Sequence, residues 1–151
     1  MPFSFDESSV AAMLGSVGTA SLTVEAADTA IALGSGDVPV LATPRMIALM
    51  EQAAREALTG YLPADCTSVG AALAVRHVRT SAVGAQVMAE AVITAVEGAS
   101  VSFSIVARDR QFADPERSLI GSGMHVRAAV QRDAFMRRLG CAADLFGRPA
   151  G

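Results

Sequence analysis

The sequence predicts an α+β fold: a strand, one long apolar helix, then four strands that pair antiparallel. Three observations carry this. The stretch "LATPRMIALMEQAAREAL", residues 41–58, has helical composition and is apolar nearly all round. Beyond Pro63 the apolar period drops to two and stays there through residue 130. The connections "TSAVG" and "EGAS" are as short as antiparallel hairpins require. A helix apolar nearly all round must be covered on most sides, and a curved antiparallel sheet wrapped about it does that.

Each element has its own signal. "DESSVAAML" (6–14) suits a short helix capped by Asp6 or Ser8. "ASLTVEAADT" (20–29) alternates Leu22, Val24 and Ala26 against Thr23 and Glu25, which predicts the first strand. "GSGDVP" (34–39) reads as a loop by its Gly and Pro content. The long helix opens with Thr43 as N-cap and Pro44 at the first helical position, and ends near Leu58–Tyr61, before Pro63. In "SVGAALAVRHV" the residues Val69, Ala71, Leu73, Val75 and His77 share one face, with Gly70, Ala72, Ala74 and Arg76 on the other. "AQVMAEAVITAV" (85–96), "VSFSIVARD" and "GMHVRAAV" continue the alternation; the last sets Met124, Val126, Ala128 and Val130 against His125 and Arg127. A longer loop, "RQFADPERS" (110–118), precedes that strand, and a helix over Arg132–Leu139 leads into a Gly/Pro tail. This order is the hotdog arrangement, with residues 1–151 as one domain and its core at about 17–139.

Composition narrows the function. Hydrophobic residues make up 52% of the chain and mean hydropathy is +0.41. No uncharged stretch is both long and apolar enough for a spanning helix, which needs roughly 20 such residues. "MPFSFDESS" carries acids where a secretory signal would be basic. The expectation is therefore a cytoplasmic oligomer, with no membrane partner, whose interface covers the excess apolar surface. A net charge of −3 gives no general footprint for nucleic acid. Cys66 and Cys141 stand far apart, outside any CxxC spacing, so neither a disulfide framework nor a zinc site is expected.

Chemistry concentrates at four residues. Glu51 is an acid among Ile47, Leu49, Met50, Ala53 and Ala54. It follows Thr43 by eight positions, two turns plus roughly 80°, so both side chains approach one side of the helix. His77 extends the apolar face of Leu73 and Val75 towards the same region. Thr, Glu and His together support acyl transfer: a carboxylate as nucleophile or base, an imidazole for proton transfer, a hydroxyl as donor. Gly70 lets a ligand approach the backbone of the strand that bears His77. Plainer roles stand beside these. Glu51 can face a solvent gap or pair with Arg55, His77 can be a satisfied core histidine, Thr43 can simply cap the helix, and Gly70 can mark a bulge or tight packing on the helix. His125 and Arg127 are expected on a solvated or interface face. Walker, GxSxG and metal-ligand patterns are absent.

At "VLATPRMIALMEQAA" (40–54), "TSVGAALAVRHV" (67–78) and "IGSGMHVRAAV" (120–130) the chain resembles the hotdog acyl-CoA thioesterases of the fluoroacetyl-CoA thioesterase type. The resemblance extends from about Val17 to Leu139. It implies hydrolysis of an acyl-CoA thioester by Thr43, Glu51 and His77, with Gly70 placing the thioester. It also implies no metal and no cofactor beyond the CoA of the substrate, and active sites at the interface of a homodimer, or of a tetramer built from it. The fluoroacetyl-specific member shapes its pocket with aromatic side chains just before the helix. Residues 26–42 here hold no Phe, Tyr or Trp, which points to another short acyl group. A non-catalytic acyl-CoA-binding domain on the same fold is the competing expectation.

Overall fold

The computed structural model describes residues 2–140. Met1, Cys141 and the Gly/Pro tail lie outside the described residues. The elements in chain order are α1 (Glu7–Met13), β1 (Val17–Thr23), α2 (Ala30–Leu33), α3 (Thr43–Ala57), β2 (Cys66–His77), β3 (Gln86–Glu97), β4 (Ser100–Asp109), α4 (Pro115–Ser118), β5 (Leu119–Gln131) and α5 (Arg132–Arg138). The strands form one antiparallel sheet in the order β1-β3-β4-β5-β2. The sheet curls around α3, as the hotdog arrangement requires. No helix among the described residues is long and apolar enough to cross a membrane.

The core lies between α3 and the inner faces of β3 and β4. Met46, Leu49, Met50, Ala53, Ala54 and Ala57 of the helix are buried against Val87, Ala89, Ala91 and Ile93 of β3 and Val101, Phe103, Ile105 and Ala107 of β4. Gly18 brings β1 against the helix, because a Cβ there would overlap the Ala53 carbonyl oxygen and the Ala57 amide. The far flank is open. Residues 70–74 of β2 are all exposed, and Leu73 and Met124 show 44% and 52% of their surface.

Three local expectations change. The first strand spans Val17–Thr23 and stops short of the predicted 20–29, because Glu25 and Asp28 form a reciprocal capping box that starts a 3₁₀ turn. Thr43 is the first residue of α3 and Ala42 is its N-cap, so the Thr43 hydroxyl makes no capping bond. His125 and Arg127, expected on a solvated or interface face, are buried at 0% and 5% exposure. Met124 instead faces outward. The physical reason is Gly121, which shares the parity of His125 and Arg127 and lies against the Met46 side chain, so that parity faces the helix.

β2 also departs from strict alternation. Its register against β5 shifts between Gly70 and Ala72, leaving Ala71 as an extra residue. Directly paired residues share a face. Gly70 opposite Arg127, and His77 opposite Gly121, therefore both face the helix. The sequence reading set Gly70 and His77 on opposite faces; the bulge unites them. His125 pins the bulge. Its Nδ1–H donates to the Ala72 carbonyl at 2.8 Å, its ring stacks on Phe103, and its Nε2 accepts from Arg127 Nη1 at 3.2 Å. A carbonyl can only accept and a guanidinium can only donate, so these neighbours fix one neutral tautomer.

Burial holds the His125 pKa below its ordinary 6.5, and the Arg127 charge adds to this; the Ala72 carbonyl and the Glu51 charge oppose it in part. Burial lowers His77 likewise. The unfolded chain takes up protons at both histidines near pH 6.5, while the folded chain does so only at lower pH. Stability is therefore fully present above the unfolded value and declines as pH falls through and below it, by at most about 1.4 kcal/mol per pH unit per histidine. Thermal midpoints measured from about pH 7.5 to 5.5 should fall, and His125→Gln should flatten the decline. An unchanged slope in that variant would contradict the lowered His125 pKa.

Candidate active site

The N-terminus of α3 delivers Thr43 to the end of β2. Thr43 Oγ1 and His77 Nδ1 are hydrogen-bonded at 2.8 Å. Pro44 sits in the first turn of the helix, where its missing N–H costs nothing and its fixed φ suits the entry. The helix-start backbone is held from both sides: Ala42 N–H donates to Asp28 O at 2.9 Å and Leu41 N–H to Ser81 O at 2.9 Å. His77 is half-buried, and its Nε2 is shut from solvent without a well-formed hydrogen bond. Burial lowers its pKa from 6.5, and the Arg79 backbone carbonyl partly offsets that. A neutral imidazole against a hydroxyl is arranged to take the hydroxyl proton.

Glu51 and Gly70 form a second group. A Cβ on Gly70 would stand 2.8 Å from Glu51 Oε2, so the glycine leaves room for the carboxylate. Glu51 Oε2 accepts from Arg127 Nη1 at 3.2 Å. Arg127 in turn donates from Nε to Ser68 Oγ at 2.9 Å and from Nη2 to the Ser68 carbonyl at 3.1 Å. With His125 Nε2 as a further acceptor, the buried guanidinium has partners on every side. The partner of Glu51 is thus Arg127 on β5, and no bond to Arg55 forms.

The four predicted residues fall into these two groups. Thr43 joins His77, Glu51 joins Gly70, and no hydrogen bond links the pairs within one chain. Eight helical residues separate Thr43 from Glu51, a rise of about 12 Å. Sequence reasoning missed Arg127, His125 and Ser68. The signal available was the shared parity of Gly121, His125 and Arg127: a residue without a side chain leaves space, which the helix fills at Met46. A groove of about 490 Å³ on the same open flank, lined by Gln52, Arg55, Cys66 and Ser68 among others, contains none of the four.

Comparison with known proteins gives the family. Residues 24–133 match the family described as fluoroacetyl-CoA-specific thioesterase, FlK. The fluoroacetyl-CoA thioesterase of Streptantibioticus cattleyicolor is 34% identical over 96 residues, which is 64% of this chain. The chain spans 65% of that relative's length. Among solved structures, fluoroacetyl-CoA thioesterase FlK superposes with a TM-score of 0.75 at 30% identity, covering 83% of this chain and 93% of the other. A FlK mutant in complex with fluoroacetate and CoA gives 0.71 at 30% identity, covering 81% and 98%. A thioesterase superfamily member from Thermus thermophilus, 23% identical, gives 0.74 over 87% and 96% of the two chains, a likeness of fold. The chain belongs to the fluoroacetyl-CoA-specific thioesterase (FlK) family.

Proposed function

We propose that the protein hydrolyses a short acyl-CoA thioester, with Thr43 and His77 as its reacting pair and no cofactor beyond the CoA of the substrate. The observation that carries this is the 2.8 Å hydrogen bond between Thr43 Oγ1 and His77 Nδ1 at the start of α3. His77 Nδ1 takes the Thr43 proton as Oγ1 attacks the thioester carbon. The first-turn N–H groups and positive end of the helix favour the developing oxyanion. The C–S bond then breaks, and the CoA thiolate leaves with the proton from His77. Water attacks the acyl-Thr43 ester, giving its proton to a base; the bond from the acyl carbon to Oγ1 breaks, the base returns the proton to Oγ1, and the carboxylic acid leaves. Glu51, oriented by Arg127, is the carboxylate that activates this water, and the FlK complexes with fluoroacetate and CoA and with acetyl-CoA support a CoA thioester as the ligand.

The two groups meet across a homodimer in this reading. β2 is an edge strand with both faces exposed at residues 70–74. Antiparallel pairing of two β2 edges about a two-fold axis near Leu73 and Ala74 sets His77 opposite Gly70 of the partner subunit. Thr43 and His77 of one protomer then face Glu51 of the partner subunit, and each dimer holds two complete sites. The exposed apolar side chain of Leu73 lies at the seam of this pairing. Such a dimer suits the reducing cytoplasm, where the buried Cys66 stays a free thiol.

Four measurements test this reading. Free thiol release from a panel of acyl-CoAs should show one short acyl class turning over, and Thr43→Ala should lower kcat by about 10²–10⁴-fold. Glu51→Gln should stall after acylation, so mass spectrometry of that variant should find the acyl group on Thr43. An active Thr43→Ala protein would transfer the nucleophile role to Glu51, and no turnover of any acyl-CoA would favour a pure binding domain. The rate should fall on the acid side with an apparent pKa below 6.5, since only neutral His77 accepts the proton. In light scattering the wild type should run at twice the 15.5 kDa chain mass, and Leu73→Glu should yield inactive monomers; an active monomer would end the shared-site reading.

A further inference from the structure

Asp28 holds three separate pieces of chain, and two of them belong to the start of the helix that carries Thr43. Its Oδ2 accepts from the Glu25 N–H at 2.8 Å and closes the 3₁₀ turn in which it stands. Its backbone carbonyl accepts from the Ala42 N–H at 2.9 Å, at the N-cap of α3. Its Oδ1 accepts from Arg45 Nε at 3.0 Å, in the first turn of the same helix. The chain between Asp28 and Ala42 is closed at its base by backbone, since the Ala30 N–H donates to the Val40 carbonyl at 2.8 Å and Thr29 bridges Leu41. The Asp28 and Arg45 side chains are largely withdrawn from water.

An arginine at this place works against the helix itself. The N-terminal end of a helix carries a positive partial charge, which disfavours a cation in the first turn. α3 has no acid in that turn to offset Arg45. The balancing charge comes from Asp28, far back in the chain. Thr43 and Arg45 are two residues apart, so their side chains leave the helix roughly 200° apart. Thr43 turns to His77, and Arg45 turns away to Asp28. The ion pair therefore grips the first turn from the side opposite the hydroxyl. Asp28 also brackets Thr43 along the chain, with Ala42 held just before it and Arg45 just after.

We propose that Asp28 and Arg45 are positioning residues for the Thr43–His77 pair: their clamp fixes the place and rotation of the first turn of α3, and with it the approach of Thr43 Oγ1 to His77 Nδ1. The inference rests on the acyl-CoA reading above and deepens it. Both residues act through the helix backbone rather than on the substrate. On the other side, backbone bonds tie the segment before Thr43, from the Leu41 N–H to the Ser81 carbonyl at 2.9 Å and between Val40 and Ala82. The ion pair adds a hold beyond Thr43, inside the helix. Such a hold matters to chemistry because a displacement of about 1 Å in an aligned reacting pair costs on the order of 10²-fold in rate.

Heteronuclear NMR of the histidine ring nitrogens, recorded above pH 6.5 where His77 is neutral, reads the clamp without substrate. Thr43→Val removes the donor and marks the His77 Nδ1 resonance of a ring without that bond. Arg45→Ala should move the wild-type resonance towards this mark, and Arg45→Lys, which keeps the cation, should move it back. Thiol release in a single turnover, in the Glu51→Gln background, gives the second readout. Arg45→Ala and Asp28→Ala should each slow that acylation by roughly ten- to a hundredfold, and the double variant should be no slower than the slower single one, because the two act as a unit. An unmoved His77 resonance in Arg45→Ala, whatever its thermal midpoint, would overturn the clamp, and so would losses that multiply in the double variant. A moved resonance in a protein that releases no thiol from any acyl-CoA would leave the clamp standing and remove the thioesterase reading.

Discussion

One unpaired residue in β2 organises the candidate site. Side chains on a strand alternate with period two, so an inserted residue exchanges the faces of everything beyond it. Before Ala71 the strand turns Ser68 and Gly70 towards α3; after it, the strand turns Leu73, Val75 and His77 that way. Without the bulge His77 could not reach Thr43 while Gly70 lies beneath Glu51. The bulge has a cost, because it interrupts the ladder and disturbs the pairing of nearby backbone groups. His125 meets that cost at the Ala72 carbonyl and, through its other nitrogen, helps fix the guanidinium that holds Glu51.

That linkage explains an acid on an apolar helix. A carboxylate at position 51 would be poorly placed among Met50, Ala53 and Ala54 if it met only hydrocarbon. It meets instead a buried Arg127 whose remaining donors are taken by Ser68 and His125. Both members of the ion pair are thereby oriented, and the carboxylate keeps one oxygen free of the guanidinium. Gly70 completes the arrangement by omission, since any side chain there would press on the carboxylate.

The fold was legible because periodicity is a long-range signal. Residues 85–93 and 101–109 alternate cleanly, and their inward residues are the buried ones. The site was legible only in its residue types. Thr43, Glu51, Gly70 and His77 stood out as reactive or permissive groups on apolar elements, but their pairing did not follow from spacing. A register shift leaves no mark in composition, so Gly70 was set on the wrong face. His125 and Arg127 were read as solvated because charge usually seeks water. The network that satisfies them is spread over residues 51, 68, 72, 125 and 127, and no local window contains it. Thr43 was read as the N-cap because Thr before Pro is the usual cap signal, whereas its hydroxyl has a stronger claim from a neutral imidazole.

The same strand that shapes the site also argues for its completion by a second copy. Natural edge strands are blunted by charge, proline or cover. β2 runs for 12 residues with no proline, no cover at residues 70–74, and Arg76 as its one arginine or acidic side chain. A bare apolar edge of that length is a template for pairing, and it would promote open-ended association unless one orientation closes it. Two-fold pairing does close it, since each edge consumes the other. The separation of about 12 Å between Thr43 and Glu51 along one helix then becomes the span that a two-fold axis converts into proximity. On the homodimer reading proposed above, the exposed edge, the divided candidate site and the high apolar content would have a single cause.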